Sequence, residues 1–226
     1  MTGGQLEGFS YQFEPPASSE APTLLLLHGT GGDEHQLLGV GRSLAPDGAL
    51  LAPRGMVVEA DGVPRYFLRI PTGDDSAYPF TFDQDEVVQR TGELAAFVVA
   101  AQDRHRIAGR PVVALGFSNG ANIAAAMLLV NPGLLRGAAL AAPMPILDTP
   151  PRGDLSGIAA VLISGRHDPI ATPAGVETLA AALSRAGANV EVHWHDGGHE
   201  LPVSGVQAAR GWLHKLRQAT AIDPLP

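Results

Sequence analysis

Three side chains of this chain could carry nucleophilic chemistry together: Ser118, Asp168 and His199. A serine hydroxyl is a weak nucleophile at neutral pH. It needs a base to take its proton and a carboxylate to orient that base. Ser118 stands at the centre of Gly116-Phe117-Ser118-Asn119-Gly120. The run before it begins Val112-Val113-Ala114-Leu115, apolar and short enough for a strand buried on both faces. The run after it, through Ala124-Ala125-Ala126, is rich in helix formers. A strand that becomes a helix within a few residues must bend sharply. Gly116 and Gly120 have no Cβ, so the flanking backbones can crowd together. The residue at the apex is then held in a strained conformation with its side chain pointing out of the sheet. Other glycine-rich loops fit less well. A phosphate loop needs Gly-Lys-Ser/Thr, and a dinucleotide fingerprint needs G-x-G-x-x-G.

The orienting acid is expected on a loop after a strand. The apolar run Ala159–Ser164 leads into Gly165-Arg166-His167-Asp168-Pro169, which places Asp168 at a strand's carboxyl end. Asp148 and Asp154 compete, but they lie in a proline-rich loop with no strand directly before them. The base is expected after the last strand, where His195-Asp196-Gly197-Gly198-His199 stands. Gly197-Gly198 allows a tight turn that brings His199 back over the sheet. His195 is the rival. His193 and His195 share one strand face and, with His199, have the look of a metal cluster. No His-x-x-x-His on a helix and no thiolate accompany them, so neither a metal nor another cofactor is expected.

Attack on an ester carbonyl makes an oxyanion, which needs N–H donors. The main-chain N–H of Asn119 is one. The second is expected from His28-Gly29-Thr30-Gly31-Gly32, with Thr30 N–H preferred and Gly31 N–H the alternative. His28 reads as structural. Residues 54–82 are irregular and carry Tyr66, Phe67, Tyr78, Phe80 and Phe82. Loops this long inside a compact domain are usually functional or disordered, and the rings favour an ordered wall of a pocket. Tyr66, Phe67 and, from the loop after residues 137–142, Met144 are the candidates to touch substrate.

The elements that must position these residues alternate. Strands are predicted at Phe9–Phe13 (an edge), Thr23–Leu27, Ala49–Pro53, Val112–Phe117, Gly137–Ala142, Ala159–Ser164 and Asn189–Trp194. Helices are predicted at Glu34–Leu44, Glu86–Arg106, Asn119 to about Val130, Pro173–Ala186 and within His199–Gln218. Strands alternating with helices imply a mostly parallel sheet covered on both faces. No internal repeat, linker or large lid insertion interrupts residues 1–226, which read as one α/β domain.

Composition narrows the partners. The chain has 226 residues, 45% of them hydrophobic, enough for a substantial core. A net charge of −8 without any basic cluster argues against nucleic acid or an anionic membrane. No apolar run is long enough for stable membrane insertion. The first residues have neither a basic stretch nor an apolar one, so no signal peptide is expected and a cytoplasmic location fits. There is no cysteine, which excludes disulfides and a thiol nucleophile. A homodimer is compatible with the sequence but not specified by it.

G-x-S-x-G between a strand and a helix is the nucleophile elbow of α/β-hydrolases, whose partners follow in the order Ser, acid, His. Leu27-His28-Gly29-Thr30-Gly31-Gly32, Gly116-Phe117-Ser118-Asn119-Gly120, Gly165-x-x-Asp168-Pro169 and Gly198-His199 together resemble the phospholipase/carboxylesterase group of that fold. The resemblance runs from about Thr23 to the last helix. It implies esterase or thioesterase activity with Ser118, Asp168 and His199 as the triad, and a serine esterase acting on small carboxylic esters is the leading expectation. Where acyl-protein thioesterases typically carry Gln-Gly-Gly after the nucleophile, this chain has Asn119-Gly120-Ala121. Small bacterial carboxylesterases are therefore the closer match. A thioesterase or lysophospholipase would use the same three residues. A non-catalytic ligand-binding protein of this fold is the alternative from another class, and it would have no need of all three.

Overall fold

The computed structural model describes residues 2–74, 79–148 and 153–222. Tyr78, one of the five loop aromatics, lies outside them. In chain order the elements are β1 (Thr2–Leu6), β2 (Phe9–Glu14), β3 (Thr23–Leu27), α1 (Leu38–Leu44), β4 (Ala49–Pro53), four two-residue strands β5 (Val57–Val58), β6 (Pro64–Arg65), β7 (Ile70–Pro71) and β8 (Phe80–Thr81), α2 (Gln84–Arg104), β9 (Val112–Phe117), α3 (Asn119–Val130), β10 (Gly137–Ala141), β11 (Ala159–Gly165), α4 (Pro173–Arg185), β12 (Asn189–His195) and α5 (Val203–Ile222).

The main sheet has eight strands in the order β1-β2-β4-β3-β9-β10-β11-β12. From β4 to β12 neighbours pair in parallel, whereas β1–β2 and β2–β4 pair antiparallel. Parallel strands are buried on both faces, which is why β3 reads as unbroken leucine. Its alternation still sorts the two cores: Leu24 and Leu26 pack with α1 and α5, and Leu25 and Leu27 with α2, α3 and α4. Helix α3 is buried along Asn119–Leu129, so its Ala-rich sequence lets it lie close to the sheet. This is the α/β-hydrolase fold, and among the described residues no large lid is present.

The structure departs from the sequence expectations at β1 and β2, at the start of α1, and at the short strands β5–β8 within residues 54–82. Strand β2 is not an edge, because β1 covers it through a tight turn. Glu7 and Gly8 both have positive φ, 50° and 82°, as a two-residue hairpin requires. Thr2-Gly3-Gly4 has no apolar alternation to announce that strand. Helix α1 starts at Leu38 rather than Glu34. Residues ahead of it are held by other groups: Glu34 pairs with Arg54, and Gln36 Oε1 accepts the Gly29 N–H at 2.8 Å.

The order of strands places the chemistry. From β3 the chain moves outward to β4, then returns past β3 to β9 and on to β12. At such a reversal the loops leaving two adjacent strands run in opposite directions and open a crevice at their carboxyl ends. The loops there are His28–Gly32 and the turn at Ser118.

Candidate active site

At the end of β9 the chain turns through Ser118 at φ 51° and ψ −115°, then enters α3. This is a left-handed backbone at a non-glycine residue, a conformation that costs free energy and must be imposed by its surroundings. The Ser118 N–H donates to Ala141 O at 2.8 Å, and its carbonyl accepts the Asn122 N–H at 2.9 Å. A Cβ on Gly116 would run into the Gly120 carbonyl, and one on Gly120 into the carbonyls of Leu27 and His28. Both glycines are therefore required by close main-chain approach.

Asp168 follows β11, and its side chain is fully buried. Its Oδ1 accepts the N–H groups of Ile170 and Ala171 at 2.8 and 3.0 Å. Its Oδ2 lies 2.7 Å from His199 Nδ1, and His199 Nε2 lies 2.8 Å from Ser118 Oγ. A carboxylate can only accept, so Nδ1 carries a proton and donates it to Asp168. Nε2 of the neutral ring is then left to accept from the Ser118 hydroxyl. The loop that carries His199 passes over the end of β11: the His167 N–H donates to Gly197 O at 3.1 Å. A Cβ on Gly165 would overlap the carbonyls of Gly197 and Gly198.

The competing residues are elsewhere. Asp148 and Asp154 are exposed; the Asp148 N–H donates to Gln84, and Asp154 accepts the Ser156 N–H. His195 is buried, and its Nδ1 accepts the Gly197 N–H at 3.1 Å. Among the described residues its Nε2 has no partner, and it bonds neither Ser118 nor Asp168.

The glycine-rich loop separates the two donor candidates. The Gly31 N–H donates to Pro64 O at 3.0 Å and the Gly32 N–H to Gly29 O at 2.9 Å. Among the described residues, the N–H groups of Thr30 and Asn119 have no acceptor. His28 is 1% exposed and lies within the loop's own bonding: Nδ1 bonds Gly29 O at 2.7 Å and Nε2 accepts the Gly55 N–H at 2.8 Å. Burial holds its pKa below the ordinary histidine value, so the ring is neutral.

The expected substrate contacts need correction. Phe67 is 0% exposed and packs edge-on against Phe82, with ring centroids 5.2 Å apart. Tyr66 is 3% exposed and its hydroxyl is bonded within the protein. Side chains buried to this degree do not form the wall of an open pocket, so these two rings belong to the core. The sequence could not distinguish them, because an aromatic in an irregular segment suits either role. Met144 is only partly buried, and its N–H is held by Asn122 Oδ1 at 2.9 Å from the helix that follows Ser118.

A cavity of about 680 Å³ is lined by Arg110, Val112, Leu134, Arg136 and Ile158. These residues lie at the amino ends of the strands, the far side of the sheet from Ser118. Asp33, Glu34 and His35 bring possible metal-ligand atoms within 4.8 Å of one another. Their carboxylates already have partners, however: Glu34 holds Arg54, and Asp33 accepts the His35 N–H. Among the described residues no helix is long and apolar enough to cross a membrane.

The chain is similar to known proteins. The family described as Phospholipase/Carboxylesterase matches residues 11–217. A Bacillus subtilis (strain 168) protein named "Putative hydrolase MhqD" is 42% identical over 193 residues, covering 84% of this chain and 90% of that protein. The crystal structure of the Bacillus cereus carboxylesterase superposes with a TM-score of 0.84 at 36% identity, covering 91% of this chain and 93% of that one. A carboxylesterase from Mesorhizobium loti gives 0.81 at 36% identity, covering 91% and 94%.

Proposed function

The chain belongs to the phospholipase/carboxylesterase family, and on that premise we propose that it is a serine hydrolase cleaving small carboxylic esters through Ser118, His199 and Asp168. One observation carries the reading. Two short hydrogen bonds, of 2.7 and 2.8 Å, run in line from the Asp168 carboxylate through His199 to a serine held at positive φ. A core packing role would not require that strained serine.

Ser118 Oγ bonds to the ester carbonyl carbon while its proton passes to His199 Nε2. The carbonyl electron pair moves onto oxygen, and the N–H groups of Thr30 and Asn119 stabilise that charge. Asp168 keeps the imidazole oriented and stabilises the imidazolium without taking its proton. As the intermediate collapses, the C–O bond to the alcohol breaks. The alcohol leaves with the proton from Nε2, and an acyl group remains on Ser118. Water then attacks the acyl carbon and gives a proton to Nε2. The carboxylic acid departs as the proton returns to Ser118 Oγ.

The test is to treat the protein with a fluorophosphonate and map the adduct by mass spectrometry, alongside hydrolysis of an ester and thioester panel. Modification of Ser118 with ester turnover is the expected result. No adduct on a folded protein, or an adduct elsewhere, overturns the reading.

A further inference from the structure

One buried residue bonds to both loops that hold the free N–H groups, through its hydroxyl to one and its main-chain N–H to the other. Strands β3 and β4 pair from Thr23/Ala49 to Leu25/Leu51. Each strand continues two residues further, to Leu27 and Pro53, without pairing to the other. Tyr66 stands across that gap. Its Oη accepts the His28 N–H at 3.3 Å and donates to Pro53 O at 2.8 Å. One hydroxyl thus joins the two strand ends where main-chain pairing has stopped. The His28 ring extends the bridge to Gly55 and Gly29. The Gly55 N–H must donate, so Nε2 holds the lone pair and Nδ1 the proton. From its own main chain Tyr66 reaches the elbow as well, its N–H donating to Asn119 Oδ1 at 2.8 Å.

We propose that Tyr66 is a positioning residue that sets the gap between the Thr30 and Asn119 N–H groups, its hydroxyl tying together the ends of β3 and β4 and its main-chain N–H holding the Ser118 elbow to the same residue. The inference rests on the serine hydrolase reading. Donors stabilise an oxyanion only when already placed at hydrogen-bonding distance from where its charge develops. In a water-excluded network each bond is stronger and each missing one costs more. Burial also pushes the Tyr66 phenol well above its ordinary pKa, so the hydroxyl stays a donor. A change in the gap acts on the transition state far more than on bound ester. It therefore lowers kcat and leaves KM in place.

The experiment uses the full chain. Tyr66→Phe removes Oη and keeps the ring and the N–H. It is expected to lower kcat by ~10-fold, with KM within about twofold of wild type. The affinity of an alkylboronic acid, which forms a tetrahedral adduct on the serine, should fall by a similar factor. Tyr11→Phe is the control. Tyr11 is equally buried, at 3% exposure, and its hydroxyl lies 3.0 Å from His105 Nε2, part of no loop near Ser118. It should keep wild-type kcat. Asn119→Ala removes the acceptor from the Tyr66 N–H while retaining its own N–H, and serves in place of Tyr66→Phe should that variant fail to fold. A folded variant with wild-type kcat and boronate affinity overturns the inference, as does an equal loss of kcat in Tyr11→Phe. Failure of the underlying reading looks different: the wild-type protein would not take the fluorophosphonate on Ser118.

Discussion

His199 Nε2 lies 2.8 Å from Ser118 Oγ across 81 positions of sequence, and that approach depends on a residue that bonds to neither, Gly165. The loop carrying His199 crosses the end of β11 so closely that its carbonyls occupy the space where a Gly165 Cβ would stand. Gly165→Ala must lift the loop and with it the imidazole. A displacement on the order of 1 Å costs ~10²-fold in rate. The expected outcome is that kcat and fluorophosphonate labelling fall together while circular dichroism is unchanged. A Gly165→Ala protein with wild-type kcat would show that the loop yields without moving the ring.

The two histidines at the end of β12 should behave differently. His199→Ala removes the group bonded to Ser118, and Asp168→Asn presents the wrong imidazole tautomer, which by analogy costs up to ~10⁴-fold in kcat. His195→Ala removes only the acceptor of the Gly197 N–H and should cost less than about tenfold. Steady-state kinetics on the three variants checks the order. A larger loss in His195→Ala than in His199→Ala would reverse the assignment.

Thr30 separates a main-chain role from a side-chain role. Thr30→Ala keeps the N–H and should remain active. Thr30→Pro removes it and should lower kcat by ~10²–10³-fold, the usual consequence of losing one such donor. The melting temperature reports whether the loop survives proline. Full activity in a folded Thr30→Pro protein would exclude this donor.

Phe67 should matter for stability and not for selectivity. Its ring is fully buried against Phe82. Phe67→Ala should cost ~3–5 kcal/mol in denaturant unfolding, the range for deleting a buried ring. The ratio of kcat/KM between short and long esters should stay constant. A changed ratio with unchanged stability would return the residue to the pocket wall.

Acid should weaken one surface tie. The Arg217 guanidinium holds Asp47 at 2.8 and 3.1 Å and lowers its pKa. A carboxyl depressed in the folded state stabilises the fold above its unfolded pKa of about 3.9, and that contribution is lost as pH falls through the folded value. Both side chains are more than a third exposed, so solvent screening limits the effect to about 0–1 kcal/mol. The difference in unfolding free energy between wild type and Arg217→Met should be present at neutral pH and absent in strong acid. A difference that persists below the folded pKa would point to packing by the arginine stem.

What the sequence determined by itself was local. Gly116 and Gly120 around Ser118 specify a crowded turn between a strand and a helix, because the required close approaches lie within a few residues. Unbroken apolar runs such as Leu24–Leu27 specify strands buried on both faces, and their alternation with helices specifies a parallel sheet. The tertiary structure decided whatever depended on neighbours distant in the chain. His199 rather than His195 meets Ser118 because the 197–199 loop crosses β11 at Gly165. Gly31 loses its N–H to Pro64, a residue 33 positions later whose carbonyl arrives only once the 54–82 segment has folded back. Tyr66 and Phe67 look alike in sequence, and only packing shows both rings in the core, with the Tyr66 hydroxyl bridging two strand ends. Hydropathy records whether a side chain leaves water, whereas the partner it finds there is set by the sheet order.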